Sequence, residues 1–207
     1  MKKFFICIIL LTGTLLLHAQ VRRTPVQRTQ TQQRSTAQAT TRAFTLTNGK
    51  LGPIQTGQRF ANIPATYAGL YDKYTYKKET MWGEGGDEWE EEYYQFTKAG
   101  KNVFRVGIDE GKKITGITLQ EGSASIVKTP EGYYVGYPAR TLFTQKRMEW
   151  TTYYEGTTFA TSGHWTYHVN SNDLNNTDSP YKASDFKSTA KISIISYSHE
   201  VYEEYGY

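Results

Sequence analysis

From Phe44 onward, aromatic or β-branched residues alternate with polar ones, and this period of two constrains the fold more than any other feature. The segment 71–76 (YDKYTY) shows the pattern, and 103–108 (VFRVGI) follows it with interruptions. Successive side chains of a strand point to opposite faces, so such alternation indicates half-buried antiparallel strands. Gly, Asn and Asp between the segments mark turns. The chain is therefore predicted to be α+β and mainly antiparallel β, with an all-β barrel or sandwich as the alternative.

The pattern predicts few helices and at least seven strands. Short helices are expected at 58–71, where Pro64 starts a turn, and at 138–145, where Pro138 suits a first helical position. The residues 82–92 (WGEGGDEWEEE) are expected to form an acidic loop joining the first two strands. The predicted strands cover 71–81, 93–97, 103–108, 113–120, 147–155, 163–170 and 188–198.

The N-terminus predicts export. Lys2 and Lys3 precede an apolar run at 4–17 and then His18-Ala19, which together are typical of a secretory signal peptide over 1–19, cleaved near Ala19. The run is short for a membrane span, so no transmembrane segment is expected after cleavage. Residues 20–43 are rich in Gln, Thr and Arg and predict a disordered basic linker. We expect a bacterial protein that is secreted or periplasmic.

Charge and cysteine usage exclude two broad classes of function. All 20 acidic residues follow residue 43, whereas seven of the 24 basic residues precede it, so the folded part is not basic and nucleic-acid binding is not expected. The single cysteine, Cys7, lies within the signal peptide. The exported chain therefore has no disulfide, thiol nucleophile or cysteine-bound metal.

The sequence favours a protein that is not an enzyme, although a hydrolase stays open. His164 and His168 lie on a predicted strand about 13 Å apart, too far to share an ion. The motifs HExxH and GxSxG are absent. A pair of carboxylates could come from Glu88, Glu90, Glu149 or Glu155, but sequence does not give their separation. The acidic loop could attract calcium, yet it does not follow an EF-hand. No cofactor and no metal are expected.

Aromatic residues carry the remaining signal. A strand buries one face, so some of the 17 tyrosines and four tryptophans must be exposed. Exposed Tyr and Trp offer large contact area at low entropy cost. These residues predict a binding face beside the acidic loop. The candidates are Tyr74, Tyr76, Trp82, Trp89, Tyr94, Trp165 and Tyr167.

Three pairs of segments recur in the same order and suggest two tandem repeats, 44–128 and 129–207. Residues 50–57 match 129–136, residues 92–97 match 164–169, and residues 114–120 match 192–198. In this arrangement the chain resembles the tandem-repeat proteins related to β-lactamase inhibitory protein, and more distantly the small outer-membrane assembly lipoproteins. The resemblance implies two copies of a short helix plus a three- or four-stranded sheet. In that family the joined sheets present one face to a protein partner.

These observations predict an exported, non-catalytic binding module. Its aromatic sheet face and acidic Trp-containing loop would contact a protein or glycan in the envelope or outside the cell. The alternatives are a secreted hydrolase acting on an envelope or dietary polymer, and a structural envelope component.

Overall fold

The computed structural model describes residues 42–82, 88–154, 157–175 and 182–200. The predicted signal peptide, all but the last two residues of the predicted linker, and the tip of the acidic loop at 83–87 lie outside these ranges. Within them the chain forms twelve strands and one α-helix, α1 (Ala139–Gln145). The strands are β1 (Phe44–Thr45), β2 (Lys50–Leu51), β3 (Ile54–Gln55), β4 (Lys73–Trp82), β5 (Glu88–Lys98), β6 (Lys101–Ile108), β7 (Ile114–Leu119), β8 (Val127–Lys128), β9 (Trp150–Tyr154), β10 (Thr157–Ser162), β11 (Trp165–Asn170) and β12 (Ile192–Ser198).

Eight of the strands form one antiparallel sheet in the order β4-β5-β6-β7-β12-β11-β10-β9. It consists of two consecutive meanders, β4 to β7 and β9 to β12, whose last strands pair side by side. At this seam Ile117 lies opposite Tyr197 and Leu119 opposite Ile195. The prediction of a mainly antiparallel β fold is confirmed. Within the described residues β4 and β9 pair on one side each, so the sheet is open and the barrel alternative is wrong.

Segments preceding the two meanders cover one face of the sheet. Residues 42–72 contribute β1, the β2–β3 hairpin and a 3₁₀ turn at Phe60–Asn62, and residues 120–149 contribute β8 and α1. The strands β1 and β8 pair in parallel and tie the two covering segments together. Side chains from both segments and both meanders form a single buried cluster. The core therefore lies between the sheet and this covering layer.

Period-two alternation separates the two faces of the sheet. In β6, Phe104 and Val106 are buried in the core while Arg105 between them points away. In β11, Tyr167 and Val169 point into the core and His168 points away. We call the face that packs on the core the covered face and its opposite the open face. Among the described residues, the elements that form the core lie on the covered side of the sheet.

The helix predicted at 138–145 is confirmed, whereas the one predicted at 58–71 is wrong. The helix α1 begins directly after Pro138, whose φ of −61° is already set for a helical start. Over 58–71 only Phe60–Asn62 forms a 3₁₀ turn. Pro64 restricts the residue before it to extended backbone, and Gly69 has a φ of +81°. These two residues confine helical backbone to a single turn.

The strand predictions for the eight-stranded sheet also need two corrections, and the two-residue strands β1, β2, β3 and β8 were not predicted. The acidic segment is largely strand, since β5 begins at Glu88 and pairs with β4 as far as Trp82. The strand β10 was missed because its sequence, TTFATS, carries a single large apolar residue. The predicted match of 92–97 with 164–169 also departs from strand order. The first segment lies in the second strand of its meander and the second in the third strand.

Candidate binding trough

A continuous row of polar side chains crosses six strands on the open face. Register places each member directly opposite the next, from β5 through β6, β7, β12 and β11 to β10. Side chains that are directly opposite in neighbouring strands lie on the same face within contact range. The row, in spatial order, is Gln95, Arg105, Thr118, Ser196, Thr166 and Thr161.

All members of this row except Gln95, together with neighbouring residues, line an open trough of about 480 Å³. Trp89 and Glu91 line it from β5 at one end, and Phe159 lines it from β10 at the other. The volume lies in the range of small-molecule sites, which is roughly 300–1,000 Å³. We refer to this cavity as the trough.

The guanidinium of Arg105 is held by two neighbours on β5. Its Nη2 lies 3.5 Å from Glu91 Oε1, and its Cζ lies 5.3 Å from the centre of the Tyr93 ring. Tyr93 is itself fixed, because its hydroxyl donates a 2.6 Å hydrogen bond to Glu79. Burial, followed by this bond to Glu79, raises the pKa of Tyr93 to about 12. Arg105 therefore presents a positioned cation whose charge Glu91 offsets.

His168 lies half-buried in the trough beside Phe159. The two ring centres are 4.5 Å apart in an edge-on arrangement. Burial is the main cause that lowers the pKa of His168 from 6.5 to about 4, and the positive charge of Arg105 adds to it. The imidazole is therefore neutral at neutral pH.

Two glycines face each other in the trough and leave space there. Gly107 of β6 pairs with Gly116 of β7, and both line the trough. A Cβ on Gly116 would lie 2.9 Å from the backbone oxygen of Tyr197, so strand packing requires glycine there. A Cβ on Gly107 would meet only the Thr115 hydroxyl, at 2.9 Å, which can rotate away.

Hydroxyl groups dominate the middle of the trough. Ser196 Oγ donates to Thr118 Oγ1 at 3.2 Å across the seam between the meanders. The hydroxyls of Thr161 and Thr166 lie 3.4 Å apart on β10 and β11. Each hydroxyl has one proton and two lone pairs, so these contacts leave capacity for a ligand.

Among the predicted site residues, Trp89 lines the trough and is 51% exposed. Tyr76 is 43% exposed but lies on the covered face, opposite Tyr94 in register. Trp82 is the last residue of β4 and pairs with Glu88; its side chain is outside the described part of the structure. The predicted set is thus divided between the two faces.

The other four predicted residues pack on the core side, which corrects the prediction that they form an exposed surface. Tyr167 is completely buried, with its ring edge-on to Tyr133. Tyr94 stacks on Phe60 with ring centres 3.4 Å apart. Tyr74 and Trp165 are also partly buried against this cluster. The covering segments pack on the tyrosine-rich face of the sheet, and this face therefore belongs to the core.

Three carboxylates of the acidic strand β5 form ion pairs, and these lie on both faces of the sheet. Glu90 pairs with Lys78 at 2.6 Å, and Glu92 pairs with Lys112 on the covered face. Glu91, between them, points to Arg105 on the open face. Consecutive carboxylates of a strand diverge, so these three cannot share one cation. Among the described residues, no group of three or more His, Asp or Glu side chains could hold a metal ion.

Arg105, Thr118 and Ser196 were missed as site residues. Alternation within each strand does place them opposite the apolar positions. Their convergence depends on strand order, however, and the pairing of β7 with β12 joins residues that are 78 positions apart for Ser196 and Thr118. No local sequence signal carries that information.

Comparisons with known proteins add little to this description. No family model and no curated protein matches the chain. A solved structure that it is similar to is that of the uncharacterized protein yfeY from Escherichia coli, at 11% identity and a TM-score of 0.48. The match covers 75% of this chain and 99% of that one. A TM-score below 0.5 supports no conclusion about function. Within the described residues, no helix has both the length and the apolar character needed to cross a membrane.

Proposed function

We propose that this protein is an exported, non-catalytic binding module that receives its ligand in the trough. The observation that carries the proposal is the trough itself, a cavity of about 480 Å³ bordered by an exposed tryptophan and a row of polar side chains. Cavities that combine apolar walls with a few convergent polar groups are the usual form of ligand sites.

The chemistry of the trough supports binding over hydrolysis. Glu91 is the one carboxylate among its described lining residues, whereas glycoside cleavage uses a pair. Ser196 donates its proton to Thr118, not to His168. A serine without a base is not activated as a nucleophile. These groups are suited to contact a ligand and lack the arrangement that would transform it.

The two meanders are, in this proposal, copies of one unit of a short helical segment and four strands. Both have a covering segment before them, and both end in the strand at the seam. By position in the meander, β7 corresponds to β12, as in the predicted match of 114–120 with 192–198. By the same criterion β5 corresponds to β10, whereas the predicted match set 92–97 of β5 against 164–169 of β11. The resemblance to proteins related to β-lactamase inhibitory protein motivates the same architecture, with the trough spanning the joined sheets.

Ligand capture with two matched variants tests the binding proposal. Trp89→Ala removes an exposed ring of the trough, and Tyr76→Ala removes an exposed ring from the covered face, on the adjacent strand. The purified chain from Gln20 onward is immobilised and exposed to envelope extract of the producing organism. We expect the captured material to fall at least fivefold for Trp89→Ala and to stay unchanged for Tyr76→Ala. Equal capture by all three proteins would overturn the proposal.

A further inference from the structure

We propose that the ligand of the trough is a neutral oligosaccharide. This inference rests on the proposed function and names the class of ligand for the same site. It is carried by four properties of the trough: its size, its hydroxyl groups, its charge balance and its aromatic ends.

The size and position of the trough favour a short chain over a protein surface. A stable protein interface buries about 800 Å² on each partner, usually with an apolar centre. The trough is instead a single cavity in the range of small-ligand sites. It also lies in the middle of the sheet, where backbone groups are already paired with neighbouring strands. An extended peptide could therefore not add to these strands as it would at a free edge.

The hydroxyl groups match the chemistry of a sugar. Thr118, Thr166 and Ser196 lie side by side in the row, and each can both donate and accept a hydrogen bond. The hydroxyls of a pyranose have the same dual capacity, so a row of protein hydroxyls can pair with a row of sugar hydroxyls. In a peptide backbone each N–H only donates and each C=O only accepts. A peptide would therefore leave some of the donors and acceptors of these hydroxyls without a partner.

The charges in the trough cancel, which favours a neutral sugar over an acidic one. The cation Arg105 is offset by Glu91 at 3.5 Å. His168 adds no charge at neutral pH because burial lowers its pKa to about 4. An anionic ligand would have to compete with Glu91 for the guanidinium, whereas sugar hydroxyls can use its remaining N–H donors.

Aromatic rings border the polar row and supply apolar contact. Trp89 stands at the β5 end, and Phe159 stands at the β10 end beside His168. A pyranose has apolar C–H faces that pack against aromatic rings while its hydroxyls point sideways. The arrangement of rings at the ends and hydroxyls between them is thus complementary to a chain of a few sugar units.

A printed array of defined neutral and acidic oligosaccharides tests the inference. We expect the wild-type chain to bind neutral oligosaccharides and to bind acidic ones at least tenfold more weakly. Thr118→Val combined with Ser196→Ala keeps the shape of the row and removes two hydroxyls, and it should weaken the best neutral ligand at least tenfold. The control, Thr80→Val, lies on the covered face and should leave binding unchanged. Binding to acidic glycans alone, or to no glycan, would overturn the inference.

Treating the extract before capture separates this inference from the proposed function. Periodate cleaves sugar diols, and a broad-specificity protease removes proteins. We expect periodate to abolish the Trp89-dependent capture and protease to leave it intact. Loss after protease alone would contradict a sugar ligand while leaving a binding function in the trough. Capture that does not depend on Trp89 in any sample would contradict both.

Discussion

Among the single side chains, His168 gives the protein a defined pH response. Burial lowers its pKa from 6.5 to about 4 in the folded chain. Between these two pH values the unfolded chain binds a proton that the folded chain does not, so the free energy of unfolding falls as the pH falls. We expect His168 to contribute a loss of no more than about 3.5 kcal/mol, at about 1.4 kcal/mol per pKa unit.

Denaturant unfolding at pH 7, 5.5 and 4 measures this contribution. The variant His168→Gln should lose less stability over this interval than the wild type, because it cannot take up the proton in the unfolded state. His199→Gln removes an exposed imidazole instead and is the control for the substitution itself. If the stability of His168→Gln depends on pH in the same way as that of the wild type does, folding does not lower the pKa of the His168 imidazole.

We expect removal of the hydroxyl to have different effects on stability at two buried tyrosines, Tyr71 and Tyr167. The hydroxyl of Tyr71 donates a 2.8 Å hydrogen bond to the backbone oxygen of Pro64, whereas that of Tyr167 has no partner among the described residues. Tyr71→Phe should cost about 1 kcal/mol, and Tyr167→Phe should be neutral or stabilising by up to about 1 kcal/mol. Chemical denaturation measures both. A clear destabilisation by Tyr167→Phe would mean that its hydroxyl is bonded.

The sequence predicts which side chains of one strand share a face, but not which face becomes the core. Alternation in WTYHVN separates Tyr167 from His168 correctly. Whether tyrosines or polar residues face solvent depends on where residues 42–72 and 120–149 pack, and these segments have weak periodicity. Tyr94 was therefore expected on an exposed face, and it lies instead under Phe60.

At the level of the elements, the paired strands β6 and β7 each carry one of two facing glycines. We expect these two positions to differ in how well they tolerate substitution. Gly116→Ala would bring a Cβ to 2.9 Å from a backbone oxygen and should destabilise the chain by about 1–3 kcal/mol. Gly107→Ala meets a side-chain hydroxyl that can rotate and should change stability by less than about 1 kcal/mol. Thermal unfolding compares the two. Equal effects would contradict the close approach of β7 to β12.

Element prediction succeeded where the local signal was strong. Pro138 and the residues after it specify α1, and the recurrence of aromatic or β-branched residues among polar ones specifies β4, β6, β7 and β12. It failed at β10, where Phe159 is the only large apolar residue, and at 58–71, where Pro64 and Gly69 interrupt an apolar pattern. The start of β5 at Glu88 was also hidden, because charged residues disfavour strands unless cross-strand partners such as Lys78 offset them.

For the whole molecule, the seam between β7 and β12 predicts that the two meanders unfold together. Buried residues from both meanders and both covering segments belong to one cluster, and strands β1 and β8 connect the segments. Equilibrium unfolding followed by far-UV circular dichroism and by tryptophan fluorescence should therefore give coincident transitions. Two separate midpoints would contradict a shared core and would indicate halves that fold independently.

The trough is a property of the whole sheet, since its lining comes from six strands of both meanders. Its location can be tested in one measurement, because among the side chains that the structure describes each face of the sheet carries one exposed aromatic ring, Trp89 on the open face and Tyr76 on the covered face. Hydroxyl-radical footprinting of the chain, with and without the best-binding oligosaccharide, follows the oxidation of both rings. We predict that the ligand protects Trp89 and leaves the oxidation rate of Tyr76 unchanged. Protection of Tyr76 with Trp89 unaffected would contradict binding in the trough.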